Sequence, residues 1–369
     1  MNKLSICTVC MNRLIHLRNT LPANIIDNEN HPNIEFAVLD YNSQDGMEEW
    51  VRSNMMKYIE SGILKYYKTY EPKYFDLSHS KNMISVLSTG DIICLVDADN
   101  YAGKGYADWI SSVYSAHGNN TIITTLRKTH IPLRDQGGKL CFSRDLYNAV
   151  RGFDETLIGY GIDDVDLVNR LEKAGGKRVF IENEKFLKYI GHTNEARLIN
   201  HHLINNLENI YLQKTDFRNV TNRALYLLKD DTFLYVNYEF DKGLVSNNIL
   251  TFSGWKIAKN GHGKGSIERS KEGLVLQFED KARMLCEPKD HGAFISAADQ
   301  ENTFWDDIPK KHEMFYTLVM GYGECMNRLK YLENDKNSGS VNSGGYGKGT
   351  VYLNLDTSHP IDLGYMIKA

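Results

Sequence analysis

Short apolar segments alternate with amphipathic ones along the first half of the chain. The segments LSICTV, IEFAVLD, ILKYYKT and DIICLVDAD are nearly uninterrupted apolar runs, and helical spacing of apolar residues separates them around 14–26, 50–58 and 80–87. Strands of this kind that alternate with helices are typical of a parallel sheet whose two faces are both covered. We therefore predict an α/β fold here, Rossmann-like, with a mostly parallel sheet and flanking helices.

The pattern changes in the second half of the chain. Residues 195–228 keep helical spacing and are assigned to the first domain, whereas short segments rich in aromatic and β-branched residues follow from 229 onwards. Examples are FLYVNYEF, GLVLQFED, MFYTLVMGYG, NRLKYLE and GTVYLNLD, with Gly, Asn, Asp and Ser between them. The pattern predicts a first domain at 1–228, a C-terminal all-β sandwich domain at 229–369 and a flexible loop at 334–349.

Composition and charge narrow the class of protein. The chain has 369 residues, of which 42% are hydrophobic, and a net charge of −4, so no basic field predicts a nucleic-acid partner. No segment approaches the roughly 20 apolar residues of a transmembrane helix, and the N-terminus does not resemble a signal peptide. Six scattered cysteines in apolar runs are typical of free thiols. We predict a cytoplasmic protein, with peripheral attachment at the inner face of the membrane as an alternative.

Two aspartates follow the last of the apolar strands in the first domain. Asp97 and Asp99 are separated by one residue, so in an extended segment their carboxylates point the same way. Adjacent carboxylates repel each other, and a divalent cation with oxygen ligands removes that cost. The alternative is a turn in which one of them caps backbone N–H groups. The segment alone does not decide between these interpretations.

Acidic residues also crowd the start of a predicted helix. Asp163, Asp164 and Asp166 follow a Gly-Tyr-Gly, and apolar residues then recur at helical spacing. Carboxylates in a first turn cap the helix and complement its dipole, which explains one or two of the three. Further on, His192 follows Gly191, and a lone histidine is more often a structural residue than a ligand.

Six segments, in this order, resemble the nucleotide-sugar-dependent glycosyltransferases of the GT-A fold. The segments are SICTVCMNR, VLDYNSQD, LSHSKN, LVDAD, GFDE with GYGIDDVDL, and GH. The chain looks closest to the family 2 bacterial enzymes and to the galactosyltransferase and chondroitin-polymerase-like branch with a G-W-G-x-E-D-x-D segment. The resemblance covers roughly residues 1 to 200, with Tyr160, Asp163 and His79 as departures from the family pattern.

The resemblance implies a role for individual residues. The nucleotide-sugar donor would be bound by Thr8, Asn12, Arg13, Asp40, His79 or Lys81, and Asp97. A manganese or magnesium ion would be bound by Asp99 and His192, the mixed oxygen and imidazole set favouring manganese over calcium. The general base would be Asp164, and the acceptor would lie at Tyr160, Gly161 and Asp163.

These roles fit the chemistry of sugar transfer. A carboxylate takes the proton of the acceptor hydroxyl, and a divalent ion stabilises the leaving diphosphate. We predict an inverting transfer from a UDP-sugar to an oligosaccharide or lipid-linked glycan in bacterial surface polysaccharide synthesis. The alternatives are a catalytically silent, lectin-like protein and a sugar nucleotidyltransferase, although CTVCMNRL lacks the Gly-rich phosphate loop that the latter needs.

Aromatic residues of the second domain allow two interpretations. Exposed Trp and Tyr can stack on sugars, as in a carbohydrate-binding module, but the same residues can form the core of a β-sandwich. The residues concerned are Trp255, Trp305, Tyr322, Tyr346 and Tyr352. We expect this domain to bind the acceptor glycan or to mediate assembly into a homo-oligomer.

Overall fold

The chain folds into two compact units. A computed structural model describes residues 2–125, 138–214, 221–240, 255–271, 273–297, 302–337 and 341–366. The first compact unit, here called the sheet unit, consists of 1–158, 162–193 and 330–369, and the second, called the barrel unit, consists of 159–161 and 194–329. These units divide the chain elsewhere than at the predicted boundary between 228 and 229.

Strands and helices are numbered in chain order. The strands are β1 (Leu4–Cys10), β2 (Ile34–Tyr41), β3 (Leu64–Thr69), β4 (Ile92–Val96), β5 (Thr121–Thr124), β6 (Lys139–Ser143), β7 (Lys177–Phe180), β8 (Leu207–Lys214), β9 (Thr221–Leu228), β10 (Thr232–Phe240), β11 (Trp255–Arg269), β12 (Leu274–Phe278), β13 (Arg283–Lys289), β14 (Gly292–Ala297), β15 (Thr303–Asp307), β16 (Thr350–Leu353) and β17 (Pro360–Asp362). The helices are α1 (Leu14–Ile26), α2 (Met47–Asn54), α3 (Met56–Glu60), α4 (Leu77–Leu87), α5 (Tyr106–His117), α6 (Arg144–Ala149), α7 (Asp163–Lys173), α8 (Asn194–Leu198), α9 (His202–Asn206), α10 (Glu313–Asn337) and α11 (Leu363–Met366), with a 3₁₀ turn at Glu184–Phe186.

The sheet unit is built on one mixed sheet. Its strand order is β17-β16-β3-β2-β1-β4-β6-β5-β7, and the central strands β3, β2, β1 and β4 run parallel. Antiparallel pairing of β4 with β6 and of β3 with β16 begins the mixed edges. The predicted α/β architecture with a mostly parallel central sheet is confirmed, and the carboxyl ends of β1, β2 and β4 meet at one edge.

Every residue of β1 and β4 is buried, because helices cover both faces of the sheet. Ile92 packs into the same core as Leu17 of α1, on one face. Its neighbour Ile93 points the other way and packs with Ile84 of α4 and Leu167 of α7. Burial on both sides explains why these strands read as continuous apolar runs rather than as alternating ones.

The barrel unit consists mainly of antiparallel strands. They close in the order β10-β11-β12-β13-β14-β15-β8-β9, with β9 paired to β10. The predicted antiparallel β domain in the second half of the chain is confirmed, but its strands form a closed barrel rather than the two sheets of a sandwich. The barrel also includes β8 and β9, although their residues 207–214 and 221–228 were predicted to be helical and to belong to the first domain.

One predicted pair of strands is a helix. MFYTLVMGYG and NRLKYLE both lie in α10, which also includes 334–337, the start of the predicted flexible loop. The buried apolar side chains described in α10 are Phe315, Leu318, Val319, Tyr322 and Cys325, which recur at the helical period. Aromatic enrichment and two glycines suggested strands, but the period of burial decides the structure.

The C-terminal segment belongs to the sheet unit, not to the barrel. Strand β16, which contains the TVYL of GTVYLNLD, pairs with β3. Asn342 donates hydrogen bonds to the carbonyls of Arg151 and Phe153. Trp305, Tyr322 and Tyr346 are buried and therefore serve as core residues. The side chain of Trp255 lies outside the described part of the chain. Among the described residues, none of the helices is both long and apolar enough to cross a membrane.

Candidate active site

The Asp97-Ala98-Asp99 segment lies directly after β4, at the carboxyl edge of the sheet. The backbone N–H of Ile190 donates to the Asp99 carbonyl at 2.8 Å, and this contact brings the following Gly-His next to Asp99. Nε2 of His192 then lies 2.7 Å from Oδ2 of Asp99. The structure therefore joins the two predicted metal ligands, which are 93 residues apart in the sequence.

Asp99 is held in its ionised form. Burial alone would raise the pKa of this carboxyl, but hydrogen bonds from His192 and Asn100 outweigh that effect and lower it. An ionised carboxylate beside an imidazole is a donor set that suits Mn²⁺. The 2.7 Å contact between Oδ2 and Nε2 is a hydrogen bond, which coordination of one ion by both atoms would replace. Asp99 and His192 therefore fit a divalent ion.

Asp99 and His192 would fill only part of the coordination sphere of a divalent ion. Among the described residues, no group of three or more His, Cys, Asp or Glu side chains could hold a metal ion. His16 packs edge-on against His192 at 5.7 Å between ring centroids, and its Nδ1 is buried with no hydrogen-bond partner in the described structure. A bound molecule and water could supply further ligands to an ion at Asp99 and His192.

Asp97 faces the interior beside Asp99. Its backbone N–H donates to the Gly138 carbonyl at 2.9 Å, and a side chain at 138 would collide with its carboxylate. Burial raises the pKa of Asp97 to about 7, and the nearby carboxylates add to this effect while Lys81 opposes it. Asp97 is thus the carboxyl of this segment that holds a proton most readily.

A second acidic group lies at the start of α7, around a buried lysine. Nζ of Lys81 donates to Oδ2 of Asp163 at 2.7 Å and to Oδ1 of Asp164 at 2.8 Å. Burial disfavours the charge on Lys81, but these carboxylates raise its pKa well above the usual value. Burial raises the pKa of Asp164 to about 6 despite Lys81, and 27% of its side chain remains exposed. Asp164 can therefore take up a proton near neutral pH and reach solvent.

Asp166 has a structural role. Nε and Nη2 of Arg170 donate to its Oδ2 at 2.8 and 2.6 Å, and Nη1 of Arg170 donates to the carbonyls of Val150 and Gly152. The helix itself begins after Ile162, whose φ of +73° is a strained conformation for a β-branched residue. This turn directs Asp163 and Asp164 toward Lys81, while Asp166 supports the loop before α7.

Two of the predicted donor residues are used within the fold. Oγ1 of Thr8 donates to the Val96 carbonyl at 2.9 Å, which ties β1 to the end of β4. The Asp40 side chain is fully buried, and its oxygens accept hydrogen bonds from Tyr66 at 2.6 Å and from the backbone of Ser43 at 2.7 Å. These contacts hold the loops at the carboxyl edge in place.

Asn12, Arg13 and His79 lie at the same edge of the sheet. Oδ1 of Asn12 accepts a hydrogen bond from the backbone of Gln44 at 2.6 Å, and Arg13 immediately precedes α1. Both ring nitrogens of His79 have protein partners, the Tyr41 hydroxyl at 2.6 Å and the Lys348 carbonyl at 2.8 Å. His79 therefore anchors the C-terminal segment.

A polar cavity of about 390 Å³ opens beside the Asp40 loop. It is lined by Ser43, Gln44, Gly46, Glu49, Lys68 and Tyr70. None of the predicted donor residues lines this cavity, although Ser43 and Lys68 both contact Asp40, the latter at 3.4 Å.

The predicted acceptor residues are divided between the units. Tyr160 and Gly161 group with the barrel unit, whereas Asp163 belongs to the sheet unit. Within the barrel unit, the Arg197 guanidinium lies 5.1 Å from the centre of the Tyr160 ring, and Asn327 donates to the Gly161 carbonyl at 2.8 Å.

Two polar residues of the site were missed by sequence reasoning. Lys139, the first residue of β6, is fully buried, and its Nζ donates to Oδ1 of Asn100 at 2.8 Å. The position of this lysine at the start of the apolar run KLCF was only weak evidence that it is buried, because lysines commonly flank strands. Asn100 directly follows Asp99, and its burial was not evident from the sequence.

Part of this site lies in a segment with known relatives. Residues 124–197 match a family described as the N-terminal domain of galactosyltransferase, and this stretch contains Asp164 and His192. The chain matches no curated protein at a significant level.

Solved structures similar to the chain are glycosyltransferases. One is a mannosyltransferase from Pyrobaculum calidifontis in complex with GDP-Man and Mn²⁺, with 17% identity, 49% of this chain and 55% of that chain covered, and a TM-score of 0.41. Another is S. aureus TarS 1–349 in complex with UDP-GlcNAc, with 14% identity, 53% and 63% covered, and a TM-score of 0.39. A third is the catalytic domain of Drosophila β1,4-galactosyltransferase 7 in complex with xylobiose, with 12% identity, 59% and 78% covered, and a TM-score of 0.37. The chain thus spans about half the length of the mannosyltransferase.

Proposed function

We propose that the chain is a nucleotide-sugar-dependent glycosyltransferase that inverts the anomeric configuration. The observation that carries this proposal is that two acidic groups of the sheet unit differ in their hydrogen-bond partners and in their pKa. Asp99 is an ionised carboxylate paired with His192, while Asp164 is a partly exposed carboxyl with a pKa of about 6. Sugar transfer needs a cation site for a diphosphate and a base for a hydroxyl, and these two groups supply them.

In the proposed reaction, Asp164 is the general base. Its carboxylate takes the proton of the acceptor hydroxyl while that oxygen forms a bond to the anomeric carbon of the donor. The bond from this carbon to the diphosphate breaks, and its electron pair leaves with the nucleoside diphosphate. Attack opposite the leaving group inverts the anomeric centre.

The other residues hold the reacting groups in place. Asp99 and His192 would hold Mn²⁺ or Mg²⁺, which as a Lewis acid stabilises charge on the leaving diphosphate. Lys81 bridges Asp163 and Asp164 and favours the ionised base, a different role from the donor contact that the resemblance implied. Asp97 remains a proposed donor contact, and Tyr160, Gly161 and Asp163 remain the proposed acceptor contacts.

The proposal also specifies the donor, the acceptor and the cellular location of the reaction. The donor is a UDP-sugar, the acceptor is a glycan, either an oligosaccharide or lipid-linked, and the product belongs to a bacterial surface polysaccharide. The galactosyltransferase match over 124–197 supports a hexose donor. The barrel unit serves acceptor binding or self-association, in the cytoplasm or at the inner face of the membrane.

A donor panel tests the proposal. The protein is incubated with UDP- and GDP-sugars and Mn²⁺, with oligosaccharide acceptors, and release of nucleoside diphosphate is measured with and without EDTA. We expect release with at least one UDP-sugar and its loss in EDTA. Binding of a nucleotide sugar without turnover on any acceptor would favour the silent, lectin-like alternative, and release of pyrophosphate from a nucleoside triphosphate would favour a nucleotidyltransferase. Absence of binding to any of the donors would contradict the proposed transferase.

A further inference from the structure

Lys139 is an unusual residue for the middle of this sheet. It is fully buried, and in the β4–β6 pairing it lies opposite Val96, directly before Asp97. Among the described residues its ammonium makes one hydrogen bond, to Oδ1 of Asn100 at 2.8 Å. A buried lysine is costly unless its charge is compensated, so an apolar residue would be the simpler choice for packing here. Burial lowers the pKa of Lys139 to about 8, and the nearby carboxyl groups of Asp97 and Asp99 oppose this lowering only in part.

Lys139 and Asp99 favour one orientation of the Asn100 amide. An ammonium only donates hydrogen bonds and a carboxylate only accepts them, so Oδ1 must face Lys139 and Nδ2 must face Asp99. Nδ2 of Asn100 indeed donates to Oδ1 of Asp99 at 2.7 Å. Without Lys139, the amide would lose one of the contacts that favour this orientation.

In the same series of contacts, the two carboxylate oxygens of Asp99 have different partners. Oδ1 is taken by Asn100, and Oδ2 faces Nε2 of His192 at 2.7 Å. The carboxylate plane is thereby fixed with one oxygen toward the histidine. Partners of this kind, which orient metal ligands without touching the metal, strongly affect metal affinity.

We propose that Lys139 is a positioning residue for the divalent ion of the transferase and acts through Asn100 on Asp99. This inference rests on the proposed function, because it assigns a role toward the ion at Asp99 and His192. Lys139 contacts neither the ion nor the substrate. Its role is to hold the Asn100 amide so that Oδ2 of Asp99 stays directed at the ion.

A double-mutant cycle on metal binding tests the relay. Free Mn²⁺ is measured by electron paramagnetic resonance during titration of the protein in saturating UDP. We expect Lys139→Met and Asn100→Ala each to weaken Mn²⁺ binding by about tenfold or more. The double variant should bind no more weakly than the worse single variant, because both changes break one chain of contacts.

Lys65→Met is the matched control. Lys65 pairs with Glu35 at 3.0 Å near the amino ends of the strands, at the opposite edge of the same sheet. This variant should bind Mn²⁺ within twofold of the unaltered protein. Circular dichroism checks folding, and if Lys139→Met does not fold, Asn100→Ala alone tests the relay.

The outcomes separate the relay from the proposed function. Mn²⁺ binding within twofold of the unaltered protein in Lys139→Met or Asn100→Ala would overturn the relay, as would losses that multiply in the double variant. If the unaltered protein binds no Mn²⁺ with UDP, the metal-dependent function fails and the relay fails with it. Normal binding by the unaltered protein, with no effect of either variant, leaves the function standing and rejects the relay alone.

Discussion

The sheet unit carries two groups of aspartates whose surroundings differ. Asp99, after β4, accepts hydrogen bonds from His192 and Asn100, and they lower its pKa. Asp164, at the start of α7, shares Lys81 with Asp163, and burial raises its pKa to about 6. The ionised form of the aspartate side chain is thus favoured at Asp99, whereas the Asp164 side chain can accept a proton near pH 6.

This difference shows that the neighbouring residues of an aspartate, and not the residue type alone, determine which chemical role it can take. A carboxylate that stays ionised and paired with an imidazole suits a metal ion, whereas a carboxyl that titrates near pH 6 suits a general base. Asp166 belongs to the second group by sequence only, because Arg170 holds it.

The largest expected effect is that of Asp164→Asn. This change removes the base but keeps the size of the side chain, so transfer should fall by roughly 10²–10⁴-fold. UDP and Mn²⁺ binding should persist, as measured by calorimetry. Asp163→Asn, which loses a contact to the same Lys81, is the control and should retain more activity. Transfer within tenfold of normal in Asp164→Asn would move the base elsewhere.

The next effect concerns the metal group. Asp99→Ala and His192→Ala should each weaken Mn²⁺ binding at least as much as the roughly 10–100-fold seen when outer partners of a metal site are lost. The manganese concentration for half-maximal transfer, compared with that of the unaltered protein, provides the measurement. Unchanged manganese dependence in either alanine variant would exclude that residue as a ligand.

A pH profile tests the link between Lys81 and the base. Asp164 must be ionised to accept a proton, so transfer should fall as the pH drops through about 6. Lys81 lowers the pKa of Asp164, and its removal in Lys81→Met should raise that pKa by about one unit or more. The acid limb of kcat against pH should therefore move to higher pH. A limb that stays in place would show that Lys81 does not set the ionisation of the base.

The smallest effect on chemistry is expected from Asp166→Asn. The change weakens the contacts to Arg170 and should lower the free energy of unfolding by about 2 kcal/mol, as judged by urea denaturation. Transfer at a temperature where the variant is folded should stay within threefold of normal. A loss comparable to that of Asp164→Asn would contradict the structural role of Asp166.

The strands and helices of the sheet unit were largely predictable from the sequence. For the barrel unit, only the presence of antiparallel β-structure was predictable. Strands buried on both faces, such as β1 and β4, leave a continuous apolar run that reveals them. The helix α10 was mistaken for strands because its aromatic residues and glycines are common in β-structure. The pairing of β16 with β3 joins residues nearly 300 apart, which no local pattern predicts.

The positions of the acidic residues were also predictable, but their partners were not. Asp97 and Asp99 at a strand end, and Asp163 and Asp164 at a helix start, follow from local spacing. The contact of Lys81 with Asp164 and that of Lys139 with Asn100 depend on which strands and helices become neighbours. These two lysines determine how the carboxylates behave, so the sequence indicates the groups of the site more readily than their roles.

Anomalous diffraction from crystals soaked with Mn²⁺ and UDP tests the central claim most directly. The account predicts one manganese peak in contact with the Asp99 carboxylate and Nε2 of His192, with Asp164 free of metal. A peak on Asp163 and Asp164 instead, with Asp99 still bonded only to His192 and Asn100, would contradict the division between ligand and base.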